Sequence, residues 1–305
     1  MAEQVNGSLP DWVSRQNKIA AQPLWPAWDA LLHYGAPLAS LPGRVTVTGS
    51  VEPRFLAGPL ILVANHIGDY DAIVLAPSLY KVGIRPRFMA TRGLMTAKGL
   101  GTLLERAGFI RVDRGSGDAR HALTVTDTVL DNNGHIVVYP EGRIGLDRDL
   151  WPERGRSGVA RMALLSRVPV IPVTSWGAHE VLCYADDARK VVSFVRSIWR
   201  QPSMKVHVGP PVPLDDLNAN RMGDANRARG RIIAAITMQL QELRRAEPGV
   251  PRYLDPTRPC PDESTAAFPG GEVPAELRAL IGASEGHPLG CRSMSTDVEA
   301  CAVVS

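Results

Sequence analysis

Two side chains in the segment VANHIGDYDAIVLA, His66 and Asp71, are of types that together can activate a hydroxyl group. An alcohol is a poor nucleophile until a base removes its proton during attack. Imidazole, with a pKa of roughly 6.5, is a usable base near neutral pH. A carboxylate on its other nitrogen fixes the tautomer and stabilises the imidazolium. The nucleophile is then the substrate's own hydroxyl, so no serine or cysteine nucleophile is needed. The two residues are five apart, which does not put them on one helical face. A turn between a buried strand and a helix opening at Asp71 can fold the carboxylate back onto the ring. The pair alone is weak grounds for catalysis. His followed by Asp at this spacing arises readily by chance, and Asp69 or Asp71 also suits a helix N-cap.

Three further segments have residue types that bind anions or line a site. In GFIRVDR, Arg111 and Arg114 flank Val112-Asp113, and the arginine fork suits bidentate binding of phosphate. The same letters also describe a strand end with Arg–Asp surface pairing. In YPEGRIG, Pro140 stops a strand and Glu141-Gly142 turn the chain. Gly142 lets backbone N–H groups approach an anion, and Arg143 adds positive charge; an ordinary Pro-Glu-Gly turn reads identically. In VPVIPVTSWG, Pro169 and Pro172 within an apolar run suggest an edge strand or a cavity wall.

These segments need a scaffold, and the flanking pattern supplies one. RVTVTG from Arg44, PLILVAN, RPRFMAT, GFIRVDR, HIVVYP and VPVIPVTSWG read as strands. KVVSFV and MKVHVG read as later strands. Helices are expected over 71–80, 98–107, 119–133, 157–166 and 226–245. This alternation predicts an α/β fold with a mixed, largely parallel sheet flanked by helices. Residues 43–248 form the expected domain. The Pro-, Gly-, Ser- and Glu-rich 249–305 is expected to be a mostly disordered tail with one short helix over 274–281.

Composition narrows the classes. Of 305 residues, 45% are hydrophobic and 21% charged, as in ordinary globular chains. A net charge of +3, with no long basic run, argues against a nucleic-acid partner. Cys183, Cys260, Cys291 and Cys301 form no C-x-x-C pair, so reduced cytosolic thiols are expected and no zinc site. The N-terminal residues show no apolar core of a secretory signal. Residues 1–42 read as a helical segment. Its stretch 19–42 carries Asp29 as its only ordinary charge, but four prolines exclude a straight spanning helix. Trp25, Trp28 and Tyr34 suit a membrane interface equally as well as packing onto the domain.

Taken in order, the four segments resemble the glycerolipid acyltransferase family typified by bacterial 1-acylglycerol-3-phosphate acyltransferases. That family carries N-H-x4-D, G-x-I-x-x-D/N-R, F-P-E-G-T-R-S and V-P-V-x-P-V. The resemblance implies an αβ acyltransferase core preceded by membrane-seated N-terminal helices. It implies His66 as general base and Asp71 as its orienting carboxylate. Arg111 and Arg114 would lie near the acceptor's phosphate, Glu141 and Gly142 would shape the acceptor site, and Pro172 would stand near the acyl donor. The donor would be acyl-CoA or an acyl carrier protein, without metal or redox cofactor. The acceptor would be a membrane lipid, foremost 1-acylglycerol-3-phosphate, giving phosphatidic acid at the cytoplasmic face of the membrane. Lyso-ornithine lipid or a glycolipid is the rival acceptor, and a non-catalytic lipid-binding module the rival class.

The chain departs from the family's pattern in two places. Gly68 stands where the family has Ser or Thr. Arg143-Ile144 stands where it has Thr-Arg, which displaces the phosphate-binding arginine by one position. Arg156, ahead of Ser157-Gly158, matches a basic residue the family often places there.

Overall fold

Three helices, α1 (Asp11–Ala20), α2 (Pro26–Tyr34) and α3 (Ala36–Ala39), come first in the computed structural model, which describes residues 10–113, 119–184, 186–245 and 264–282. Strands and helices then alternate. The order is β1 (Arg44–Gly49), α4 (Pro53–Leu56), β2 (Leu60–Ala64), α5 (Asp71–Lys81), β3 (Pro86–Thr91), α6 (Arg92–Met95), α7 (Leu100–Arg106) and β4 (Ile110–Val112). It continues with α8 (Ala119–Asp131), β5 (His135–Val138), α9 (Ser157–Ser166), β6 (Val170–Trp176), α10 (Asp187–Arg200), β7 (Ser203–Val208), α11 (Asp224–Arg244) and α12 (Ala275–Gly282).

The seven strands form one sheet in the order β1-β7-β6-β2-β5-β3-β4. Only β6 and β7 pair antiparallel, so the sheet is mixed and largely parallel, as the alternating pattern predicts. The run LILVA explains the middle of it. Ile61 and Val63 pack into one layer with α8, α9 and α11, while Leu60, Leu62 and Ala64 pack into the other with α5. A strand covered on both faces must be apolar at every position, because each buried aliphatic side chain contributes about 1.5–3 kcal/mol and an unpaired polar one costs as much. β2 pairs in parallel with both β5 and β6. The loops leaving the three strands therefore emerge side by side at one edge of the sheet, where α/β folds place their sites.

One strand expectation is overturned, and one of two open readings is excluded. KVVSFV lies within α10, whose N-cap Asp186 accepts a hydrogen bond from the Arg189 N–H at 3.0 Å. Val191, Val192 and Val195 stay exposed on that helix. A β-branched apolar run mimics a buried strand only while its side chains are assumed to be buried. The strand of VPVIPV is interior rather than an edge, with all seven β6 residues buried. Pro172 fits there because its carbonyl accepts from Gly209 N–H at 3.0 Å, beyond the last paired residues Val173 and Val208. Its missing donor falls where the antiparallel ladder has already ended.

The N-terminal helices pack on the domain along one side. Val13, Gln16 and Ala20 of α1 and Leu32 of α2 are buried, and Trp28 meets Phe109 edge-on at 5.7 Å. Leu31, Tyr34, Leu38 and Leu41 face outward. No helix among the described residues is long and apolar enough to cross a membrane.

The expected tail is in part folded. Ala266 bridges Glu153, and α12, close to the expected 274–281, packs on α11. The carboxylate of Asp147 accepts from Ser264 Oγ at 2.7 Å and from the N–H groups of Thr265 and Ala266. Residues 246–263 and 283–305 lie outside the described residues.

Candidate active site

The loop after β2 brings the first pair together. Asn65 anchors it by a two-way amide clamp: its Nδ2 donates to Ser175 O at 2.9 Å and its Oδ1 accepts from Ser175 N–H at 2.8 Å. The chain then turns, and Asp71 opens α5 with its side chain folded back. Asp71 Oδ2 accepts from His66 Nδ1 at 3.0 Å, from Ile67 N–H at 2.7 Å and from Gly68 N–H at 2.9 Å. The carboxylate is fully buried, whereas the His66 side chain keeps 20% of its surface exposed. An acceptor-only carboxylate on Nδ1 requires the proton on that nitrogen. The lone pair is then on Nε2, which has no hydrogen-bond partner among the described residues. Buried charge is tolerated at Asp71 because three donors and the helix N-terminus face it.

The loop after β5 forms the other wall. Tyr139 stacks on the His66 ring, centroids 4.1 Å apart and planes 16° from parallel. Glu141 is buried beneath the turn: its Oε1 accepts from His66 N–H at 3.1 Å and its Oε2 from Glu153 N–H at 3.0 Å. Burial pushes its carboxyl up to about 8, with the nearby charges of Glu153 and Asp71 adding to the rise and the two N–H donors opposing it. Glu141 therefore ties the His66 loop to the 141–153 loop rather than facing a ligand. Gly145 N–H donates to His66 O at 2.8 Å, closing the same seam.

The arginines divide differently. Arg111 is committed to Asp113 by two hydrogen bonds of 2.7 and 2.6 Å and lies 4.4 Å over the Trp12 ring. It sits on the edge strand β4, three strand spacings from β2, about 14 Å across the sheet. Arg114 lies outside the described residues. Arg143 is held bidentately by Glu153, with contacts of 2.9 and 3.1 Å. Arg156 differs from Arg111 and Arg143. Its N–H donates to Pro140 O at 2.8 Å, its side chain crosses Gly142, and among the described residues it has no acidic partner. Gly142 has φ +72°, a conformation that favours glycine, and a Cβ there would come within 3.2 Å of Arg156 Cδ and Nε, so that side chain would have to shift. Arg156 directly precedes α9, whose free N–H groups form an anion-attracting end.

Gly68 has a local reason of its own. A Cβ at this position would lie 3.1 Å from His179 Cα, closer than such atoms ordinarily approach. Pro172 is buried in β6, beside Val63 of β2, and forms part of the floor under the loops. The roles of Asn65, Tyr139 and Glu153 were not expected from sequence. A buried strand ending in Asn before His was the available sign for the first; nothing local marks the other two. No group of three or more metal-ligating side chains occurs among the described residues.

Residues 44–176 match the family model described as Acyltransferase. Over 168 residues the chain is 29% identical to a lyso-ornithine lipid O-acyltransferase of Pseudomonas aeruginosa, covering 54% of this chain and 60% of that protein. It is 27% identical over 169 residues to 1-acyl-sn-glycerol-3-phosphate acyltransferases of Limnanthes douglasii and Limnanthes alba, covering 54% of each chain. The chain thus spans little more than half the length of the curated relatives it matches. Together with the four motifs, these matches make residues 44–176 similar to the acyltransferases that carry those motifs.

Proposed function

We propose that the chain transfers a fatty acyl group from a thioester, acyl-CoA or an acyl carrier protein, to the free hydroxyl of a lysophospholipid. The observation carrying this reading is the His66 Nδ1–Asp71 Oδ2 contact of 3.0 Å, which leaves Nε2 as an oriented base. Nε2 takes the hydroxyl proton as the oxygen attacks the thioester carbonyl. The tetrahedral intermediate collapses, and the thiolate departs with the proton held by the imidazolium. A thiol pKa of roughly 8.5 makes this an easy leaving group, so the scheme calls on no metal or redox cofactor. A lipid-binding module without chemistry has no use for a buried carboxylate orienting a partly exposed imidazole.

The acceptor in this reading is 1-acylglycerol-3-phosphate, with Arg156 and the N-terminus of α9 receiving the phosphate and phosphatidic acid as product. The exposed Leu31, Tyr34, Leu38 and Leu41 favour peripheral seating at the cytoplasmic face of the membrane, where such an acceptor resides. A second acceptor is favoured by specific observations. Arg111 and Arg143 are both neutralised internally, and the Pseudomonas relative is named for lyso-ornithine lipid. Thiol release from acyl-CoA, measured with no acceptor, with lysophosphatidic acid and with lyso-ornithine lipid, decides. Release stimulated by lysophosphatidic acid supports the first acceptor, stimulation by lyso-ornithine lipid alone replaces it, and no stimulation by any lyso-lipid removes the proposal.

A further inference from the structure

We propose that the outward face of α10 is a lipid-contacting surface that seats the domain on an anionic bilayer. The helix carries apolar side chains on its exposed side as well as its packed one. Its inward side presents Ser193, Phe194 and Ser197, with Ser193 Oγ donating to Val181 O and Phe194 meeting Tyr70 at 6.2 Å. Its outward side presents Val191, Val192, Val195 and Trp199, spaced one, four and eight residues from the first and so aligned on one stripe. Trp199 is 84% exposed. A soluble surface gains nothing by holding four large apolar side chains in water at helical spacing.

Charge selects the occupant. Arg189 and Arg196 run along one flank of the stripe. Arg189 has only an exposed contact of 3.4 Å with Asp186, and Arg196 has no ion-pair partner among the described residues. An apolar stripe bordered by arginines matches the acyl and phosphate layers of an anionic leaflet. A second copy packed on the same stripe would bring these arginines against one another, and an acidic soluble partner would leave the valines unused. The face is also continuous with the outward side of the N-terminal helices, since Gln201 Nε2 donates to Leu41 O at 3.0 Å. On its other flank Lys190 Nζ lies 2.6 Å from Asp69 Oδ2, within the loop between His66 and Asp71. Lipid contact at α10 thus sets the height of the base over the bilayer.

The inference rests on the proposed lipid acceptor for its relevance to turnover, and the test separates the two. Co-sedimentation of the full chain is measured with phosphatidylcholine vesicles containing or lacking phosphatidylglycerol. A Val192→Ser/Val195→Ser/Trp199→Ser variant, altered only at exposed positions, should keep its helical signal and melting temperature and bind at least about tenfold more weakly. Arg196→Gln should weaken binding about fivefold on the anionic vesicles alone, the factor for one cation near such a surface. Fluorescence quenching by brominated lipid should fall in Trp199→Phe. Undiminished binding by the triple variant overturns the surface, as does a dimer or carrier-protein complex that needs these residues while vesicles are ignored. Wild-type vesicle binding without acyl transfer to a detergent-dispersed acceptor removes the proposed function and leaves the α10 surface standing.

Discussion

The turn around His66 and the loop from Arg143 to Glu153 lie side by side, yet they commit their charges in opposite ways. In the first, three donors converge on one carboxylate oxygen: Asp71 Oδ2 collects the ring N–H and two backbone N–H groups, and Nε2 of the ring is left open. In the second, the cation expected to bind ligand is spent internally, with Arg143 held by Glu153. In the proposed reaction the base is organised before any substrate arrives, and head-group recognition falls to Arg156, which no described carboxylate holds. On that proposal, the contrast separates the chemistry from the acceptor preference.

The largest test breaks the first half of the comparison. His66→Ala should lower acyl transfer about 10³-fold with its melting temperature close to wild type, since the ring is partly exposed. Asp71→Asn should lose a comparable factor, because a neutral amide no longer stabilises the imidazolium, and also stability, because its Nδ2 takes the buried Oδ1 position, which has no partner. Either variant retaining wild-type turnover would refute the base assignment.

The second half is sharpened by paired arginine variants. Arg156→Gln should raise KM for lysophosphatidic acid about tenfold, the loss of one charge-assisted contact, with kcat little changed. Arg143→Gln should leave that KM within about twofold and act instead on stability, by stranding Glu153. Reversal of the two outcomes would return the phosphate to Arg143.

The seam between the two loops carries a pH signature. Burial raises Glu141 to about 8 from an unfolded value of 4.5. The native state therefore holds this proton more tightly than the unfolded chain does. The contribution is complete below about pH 4.5 and is lost as pH rises through about 8. Melting temperature should fall from pH 5 to pH 9 more steeply in wild type than in Glu141→Gln. Parallel profiles would mean that Glu141 is ionised throughout. A smaller effect is expected at Gly68, where the chain departs from the motif: Gly68→Ser should cost about 1 kcal/mol, because its Cβ crowds His179. A more stable variant would show that the backbone there yields freely.

Sequence alone carried the strand assignment of the motif segments and the His66–Asp71 partnership, because both are local: a buried apolar run, a turn and a helix start. It also offered the Arg111–Asp113 pairing as an alternative to phosphate binding, since side chains two apart on a strand share a face. The Arg143–Glu153 pair was hidden, as ten residues of irregular loop set no periodicity. Tyr139 against His66 depends on β5 lying next to β2, which no short-range pattern states. KVVSFV was misread for a different reason. Hydropathy reports where side chains gain by leaving water, and α10 keeps its valines outside, so the inference from apolar to interior failed there.

One joint has a consequence for how the molecule can be shortened. Asp147 clasps Ser264, Thr265 and Ala266, and Glu153 accepts from Thr265 Oγ1 at 2.9 Å. A chain trimmed after Arg245 would keep every residue of the His66 turn, yet strip a buried carboxylate of three donors more than a hundred positions away. Such a cut would loosen the ground under Arg143 and spare the base. Limited proteolysis between α11 and the clasp should therefore lower the melting temperature before it touches turnover, so residues 264–266 act as a rivet for the loop that holds Arg143.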